Sequence, residues 1–375
     1  MEINNGDGRA KVIAYYLPQF YPCEFNDKWY GPGFTEWTNV GKAKPLFRGH
    51  YQPKVPADLG YYDLRVPEVA EKQAELAREA GVFGFAYWHY WWAGKMLLNM
   101  PAERMLKTLK PSFPFMFAWA NENWFKKLWD KDTGKDTLIM EQTYPGEEDN
   151  LSHFNYCLPF FKDNRYLYYD GKPMFLIYHP LSFPDVQAFI KQWNNLIKEA
   201  GVAESFYWMA VASNNAEDFE KLKELGFDCV NFQIGNQRKG IPSNNAKNYS
   251  RYHLIQSFRH YVLRQPSLVD YRIMINTIWQ EQYDSRDDVA PVIIPQWDHS
   301  PRSGLRAASI YVNATPSNFE KLAINVLSRV KKKKNKIVML KSWNEWAEGN
   351  FMEPDLKYGR GFIEALGKAV ESTKE

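Results

Sequence analysis

The clearest order along the chain is a succession of short apolar runs, each closing in aromatic and polar residues and most followed by a stretch with helical periodicity. The runs cover residues 12–17, 82–87, 115–119, 174–178, 206–211, 229–232, 292–294 and 337–340. Each is apolar on both faces, as suits a parallel strand covered on both sides. Between them the spacing predicts helices over 67–80, 185–200, 216–225 and 316–330, and Gly81, Gly201 and Gly226 stand where three of these should stop. Strand then helix, repeated, predicts an α/β fold, a (β/α)8 TIM barrel with long loops at its C-terminal face. A doubly wound sheet is the competing arrangement, but Leu17-Pro18-Gln19-Phe20 follows the first run where a Gly-rich phosphate loop would stand.

Two connections exceed what a minimal barrel needs, 21–62 and 234–290, the second with a helix predicted near 252–263. Loops of this length in a compact domain are usually lids or added functional structure. No repeat, low-complexity segment or linker divides the sequence, so residues 1–375 are expected to form one domain.

Composition adds three constraints. Hydrophobic residues at 45% and charged residues at 24% call for a packed core rather than disorder. Many of the 14 Trp, 23 Tyr and 24 Phe are expected to fill the core, but aromatics beside polar residues at strand ends are how proteins stack on sugar rings or bases. A net charge of +3 gives no strong field for nucleic acid or anionic membrane, so neither is an expected partner. The basic run 331–334 is predicted to be a solvated helix end. Cys23, Cys157 and Cys229 are odd in number and far apart, which argues against a disulfide framework and against a metal site. Residues 1–11 have no apolar segment, and no stretch approaches a membrane span, so no membrane insertion is expected. The expected compartment is the cytoplasm, or beyond it if a leader precedes this sequence.

In a barrel the site lies at the C-terminal ends of the strands. After the second run stand Trp88-His89-Tyr90-Trp91-Trp92, after the third Ala120-Asn121-Glu122-Asn123-Trp124, after the fourth His179, after the seventh Pro295-Gln296-Trp297-Asp298-His299, and after the eighth Trp343-Asn344-Glu345-Trp346-Ala347-Glu348. Aromatic planes, amides and carboxylates together suit a saccharide, whose rings stack and whose hydroxyls pair. Tyr16, His89, Glu122, His179, Gln296 and Glu345 are therefore expected to line one cavity. His89, His179 and His299 fit no metal motif and are read as hydrogen-bonding groups. Glu345 and Glu348 are the sharpest pair: three residues apart on a turn, beside Asn344 and two indoles, one can stay protonated while the other stays ionised. Glu36 and Glu122 are secondary candidates.

Gly33-Phe34-Thr35-Glu36-Trp37-Thr38-Asn39-Val40, Gly49-His50-Tyr51-Gln52-Pro53, Pro56-Ala57-Asp58-Leu59-Gly60, Trp88-His89-Tyr90-Trp91, Trp119-Ala120-Asn121-Glu122-Asn123-Trp124 and Trp343-Asn344-Glu345-Trp346-Ala347-Glu348-Gly349 occur in this order. Together they resemble the WbsX-like family, a glycoside hydrolase family 99-like group associated with bacterial surface-polysaccharide loci. The resemblance extends over residues 12–361. In the endo-α-mannosidases of family 99 a similar Trp-Asn-Glu-Trp-x-Glu-Gly segment carries the catalytic pair. The resemblance implies that Glu345 deprotonates the sugar 2-hydroxyl, which attacks the anomeric carbon to give a 1,2-anhydro-sugar, and that Glu348 is the acid and then the base for water.

The resulting expectation is a retaining endo-acting glycoside hydrolase acting on an oligo- or polysaccharide without metal or organic cofactor. Glu345 and Glu348 are its catalytic residues. The expected substrate-binding residues are Tyr16, Glu36, Trp37, His89, Trp119, Asn121, Glu122, His179, Gln296, Asp298, Trp343, Asn344 and Trp346. The alternatives are a glycosyltransferase of O-antigen or capsule assembly, for which Asp130-Lys131-Asp132 is the only metal–diphosphate hint, and an inert carbohydrate-binding barrel.

Overall fold

The computed structural model describes residues 1–3, 8–126, 137–212, 216–232, 254, 258–262, 265–307 and 309–373. Eight parallel strands form its centre: β1 (Lys11–Tyr16), β2 (Val82–His89), β3 (Phe115–Trp119), β4 (Lys172–Ile177), β5 (Tyr207–Ala212), β6 (Cys229–Phe232), β7 (Val292–Ile293) and β8 (Ile337–Leu340). Each overlaps one of the apolar runs. The hydrogen-bonded order is β6-β5-β4-β3-β2-β1-β8-β7. A parallel bridge between Val230 and Val289, with Ala290 N donating to Val230 O at 2.9 Å, brings the ends of that order together. The (β/α)8 expectation is met.

A helix follows every strand: α1 (Pro67–Glu79), α2 (Met100–Thr108), α3 (Glu147–Phe161), α4 (Val186–Glu199), α5 (Ala216–Glu224), α6 (Tyr271–Thr277), α7 (Pro316–Val330) and α8 (Gly361–Ser372). α4 shows why they form. Asp185 accepts from Ala188 N at its start, and Val186, Phe189, Ile190, Trp193 and Ile197 are buried along one stripe. Gly201, which follows it, has the positive φ of 64° that lets the chain reverse without a Cβ penalty. No helix among the described residues is long and apolar enough to cross a membrane.

The barrel interior is filled. β1 and β6 are not neighbours, yet the Tyr15 hydroxyl donates to Asn231 Oδ1 at 3.0 Å, so the bond crosses the barrel. Trp88 stacks on Tyr15 with ring centres 4.8 Å apart. The three cysteines are free thiols.

Two local expectations need correction or lie out of reach. The basic run after α7 is not wholly solvated: Lys333 is 7% exposed, and its ammonium donates to the Asp284 and Val289 carbonyls at 2.7 Å each. That position was drawn under β7 because a long side chain can bury its stem and satisfy loop carbonyls with its tip. Of the helix predicted near 252–263, Phe258–Val262 forms a π-helical turn and most of the remainder lies outside the described residues, as does Asp130-Lys131-Asp132.

Gly84 sits where β2 meets the chain entering β3. A Cβ there would lie 2.9 Å from the Pro114 carbonyl oxygen, which already accepts from Phe85 N. Gly84→Ala is therefore expected to cost about 1–3 kcal/mol through overpacking. Urea unfolding should show a lower midpoint at an unchanged slope, and an unchanged midpoint would disprove the tight approach.

Candidate active site

Loops at the C-terminal strand ends enclose a cavity of about 660 Å³. The first loop supplies Tyr30, Phe34, Glu36 and Asn39; β2 and its end supply Trp88 and Tyr90; the β3 and β4 ends supply Asn121, Glu122, Trp124, Tyr178 and His179. The β7 loop contributes Arg302, and the β8 end contributes Lys341, Glu345 and Glu348.

The two glutamates owe their position to a tight return of the chain. Asn344–Glu345 pairs antiparallel with Asn350–Phe351, and a single 3₁₀ turn, Trp346–Glu348, lies between them. The turn closes at Gly349 with φ 56°, where a Cβ would lie 2.7–2.9 Å from Asp298 atoms. Only glycine fits, because the conformation is left-handed and the β7 loop passes directly against it. The Asn344 amide then ties the turn to the barrel rim, accepting from Leu17 N at 2.8 Å and donating to Leu17 O at 3.0 Å.

Both carboxyls reach one guanidinium. Arg302 Nη1 lies 2.5 Å from Glu348 Oε1 and 3.3 Å from Glu345 Oε1, while its Nε and Nη2 lie 3.3 and 3.2 Å from Glu36 Oε2. His299 Nε2 adds a contact to Glu348 at 3.5 Å, and the Ser342 hydroxyl donates to Glu345 at 3.0 Å. Burial and the neighbouring Glu348 charge push Glu345 up to about 7, against Arg302 and Lys341. Burial acts upward on Glu348 too, but the charge of Arg302 and the hydrogen bond of His299 hold it well below the usual carboxylate range. The two environments therefore pull the carboxyls apart, Glu345 toward its neutral form and Glu348 toward its ionised form.

Of the residues expected from the sequence, Glu36, Asn121, Glu122, His179, Glu345 and Glu348 line this cavity together. Glu122 and His179 meet at 3.2 Å, and Asn121 braces the His179 backbone from both ends of its amide. The expectation that Tyr16, His89 and Gln296 share the cavity is not met. Successive strand side chains point to opposite faces, and Tyr16 and His89 fall on the helix-facing side. The Tyr16 hydroxyl donates to Gln73 of α1 at 2.8 Å, and His89 Nε2 meets His153 Nε2 of α3 at 2.7 Å. Gln296 accepts from Lys54 at 2.6 Å, and Asp298 is held by Gln52 at 2.6 Å and His50 at 2.8 Å. Trp119 donates to the Trp91 carbonyl at 3.2 Å. Trp37 packs on Trp346 with ring centres 5.3 Å apart, and Trp343 and Trp346 are fully buried. Trp37, Trp119, Gln296, Asp298, Trp343, Asn344 and Trp346 therefore support the walls and do not line them.

Arg302, Lys341 and Tyr178 were not singled out by the sequence reading. Lys341 and Tyr178 each directly follow a strand, a signal that was available. Arg302 lies nine residues beyond β7, where nothing in the pattern marks it. Asn26 and Asn39 also stand at the cavity wall with buried amide atoms that have no partner among the described residues. Such atoms cost about 1–3 kcal/mol each unless a ligand or water meets them. Among the described residues the group able to converge on a metal ion is His89, His153 and Cys157, whose ligand atoms lie within 4.8 Å of one another. It sits between β2 and α3, behind the cavity wall, and its two rings already share a hydrogen bond.

The family model described as Glycosyltransferase WbsX matches residues 12–366. The chain belongs to this family. It is 34% identical over 368 residues to the uncharacterized protein WxcX of Xanthomonas campestris pv. campestris strain ATCC 33913, and equally identical to that of strain B100 over 367. These alignments take in 96% of this chain and 50% of each relative, so the chain spans about half the length of the curated relatives it matches. A solved glycoside hydrolase-like protein superposes with a TM-score of 0.61 at 15% identity, covering 96% of this chain and 94% of the other. The GH99 endo-alpha-mannosidase from Bacteroides thetaiotaomicron superposes with a TM-score of 0.56 at 14% identity, covering 96% and 97%. At such identities the likeness shows the fold, which is that of the family 99 barrel.

Beneath the turn lies a further buried carboxyl. Glu353 accepts from Trp346 Nε1 at 2.7 Å, Gln73 Nε2 at 2.6 Å and the Tyr62 hydroxyl at 3.0 Å, with no cation against it among the described residues, and burial raises it to about 7. A carboxyl raised above its unfolded value of about 4.3 keeps its full stabilisation below that pH and loses it as pH rises through the folded value. Glu353→Gln should therefore weaken the protein at pH 5 but flatten the decline in stability from pH 5 to 8. Urea midpoints across that range measure this, and a slope equal to the wild type would remove Glu353 from the account.

Proposed function

We propose that the chain is a carbohydrate-active enzyme working as a retaining, endo-acting glycoside hydrolase on a polysaccharide, with Glu345 and Glu348 as its proton-transfer pair. The observation that carries this reading is the pair itself: two carboxyls on one tight turn, Glu345 buried and Glu348 largely so, meeting one guanidinium and facing an aromatic-lined cavity. Trp88, Tyr90, Trp124 and Tyr178 offer planes for sugar rings, and Asn121, Glu122 and His179 offer partners for hydroxyls.

The α-mannosidase-like scheme runs in two balanced steps. Glu345, as carboxylate, takes the proton of the 2-hydroxyl while that oxygen bonds to the anomeric carbon; the bond to the leaving oxygen breaks, and Glu348 protonates it. Glu348 then takes a proton from water, whose oxygen opens the 1,2-anhydro ring, and Glu345 returns its proton to the 2-oxygen. Two inversions give net retention, and no step calls for a metal or organic cofactor.

Glycosyl transfer is the second reading, favoured by the family's description. Charge weighs against a nucleotide-sugar donor. Among the described lining residues the carboxyls of Glu36, Glu122, Glu345 and Glu348 face the two cations Arg302 and Lys341, and they still outnumber them with Glu345 neutral. A diphosphate entering there meets more negative charge than positive, whereas a neutral glycan meets hydrogen-bonding partners.

Glu345→Gln and Glu348→Gln should each fold and lose about 10²–10⁴-fold in kcat. The two losses should not add in the double variant, because the residues act as one unit. An activated leaving group should rescue Glu348→Gln but not Glu345→Gln. The assay offers polysaccharides and nucleotide sugars in parallel, reading new reducing ends and released nucleotide. Near-normal turnover in both single variants sinks the mechanism, and nucleotide release without new reducing ends establishes transfer.

A further inference from the structure

The resting charge arrangement of the pair is the reverse of what the proposed chemistry needs at its first step. Glu345, the proposed base, has an environment that favours its neutral form; Glu348, the proposed acid, is paired with a cation. Arg302, ahead of His299, is the group that separates them. Its Nη1 is 0.8 Å nearer Glu348 than Glu345, at 2.5 against 3.3 Å. Its other nitrogens are anchored elsewhere, on Glu36, a residue only 3% exposed on the first loop. The Nη1 contacts can therefore break while the guanidinium keeps its place.

We propose, resting on the glycosidase reading of this site, that Arg302 is a positioning residue that parks the shared proton on Glu345 and releases Glu348 to receive it only when a sugar takes over the Nη1 contact. The transfer moves one proton from the Glu345 carboxyl to the Glu348 carboxylate and changes no net charge. It leaves Glu345 as the base and Glu348 as the acid, the arrangement the first step uses. A site built this way is poised only with substrate in place.

Of the other charged groups around the pair, His299 alone acts on one carboxyl only, and it works in the same sense as Arg302. Lys341 acts on both carboxyls in the same sense, and Glu122 faces them from across the cavity with Tyr90 and Tyr178. His299 adds to the hold on Glu348 from 3.5 Å, a weaker contact than that of Arg302. Glu36 and His179 complete the set, Glu36 on the far side of Arg302 and His179 beside Glu122.

The test is a pH titration of the whole protein carrying ¹³C-labelled glutamate carboxyls, with Glu345→Gln and Glu348→Gln used to assign the two signals. The wild type should show Glu345 titrating near 7 and Glu348 ionised throughout the range above pH 4. In Arg302→Met, Glu348 should rise into or above the usual carboxylate range and share the proton with Glu345, so that its signal now titrates above pH 4. Should that variant fail to fold, Arg302→Lys is read in its place: one ammonium cannot serve Glu36 and the pair together, so Glu348 should again rise. A wild type in which Glu348 holds the proton, or a Glu348 signal that stays put in whichever variant folds, overturns the proposal. Because the titration needs no substrate, it can fail while the glutamate variants still lose turnover, or succeed while they keep it, so the two readings fall separately. With an active substrate, Arg302→Lys should also shift the pH profile of kcat/KM more than it changes stability.

Discussion

Two carboxyl groups on one buried turn repel each other and are poorly solvated, so the turn that carries Glu345 and Glu348 is tenable only with a cation against it. Arg302 is that cation, and its placement dictates much of the surrounding chain. It must enter from the β7 loop, which is why Asp298 packs against Gly349 with no room for a side chain there. It must also be held from behind, which is the work of Glu36 on the first loop.

Below this level the structure relies on neutral hydrogen-bond donors rather than ion pairs. Tyr16, Gln73, Tyr62 and Trp346 form a connected set around Glu353, and Asn344 joins it through the Tyr62 hydroxyl at 3.3 Å. Several motif residues that look like sugar contacts in the sequence are members of this set. A network of this kind rigidifies what it supports, and here it supports the turn that presents the pair. Asp298 plays the equivalent part on the other side, and the hydrogen bond of His50 and the charge of Lys54 hold its carboxyl down to about 2 against burial.

The fold was legible because parallel strands buried on both faces leave apolar runs that no other element explains, and all eight runs became strands. Glu345, Glu348, Glu122 and His179 were legible as polar residues placed just past those runs. The facing of strand-end side chains was not, because Tyr15 and Tyr16, or Trp88 and His89, differ only in parity, and a run apolar on both sides carries no mark of which side is in. Arg302 was hidden for a different reason. Its importance comes from contacts 43, 46 and 266 residues away along the chain, and no local pattern records those.

The link from Glu36 through Arg302 to the pair also bears on how such barrels diversify. Barrel loops are commonly treated as interchangeable modules, each free to bring a new specificity to an unchanged core. Here the first and seventh loops share an ionic contact that also charges the turn on the eighth. Grafting a first loop that lacks an acid at this place would leave Arg302 leaning wholly on Glu345 and Glu348, and grafting a seventh loop without the arginine would leave three carboxyls facing one another. These loops must be exchanged as a set, so natural or engineered recombination within this part of the barrel is confined to breakpoints that keep them together.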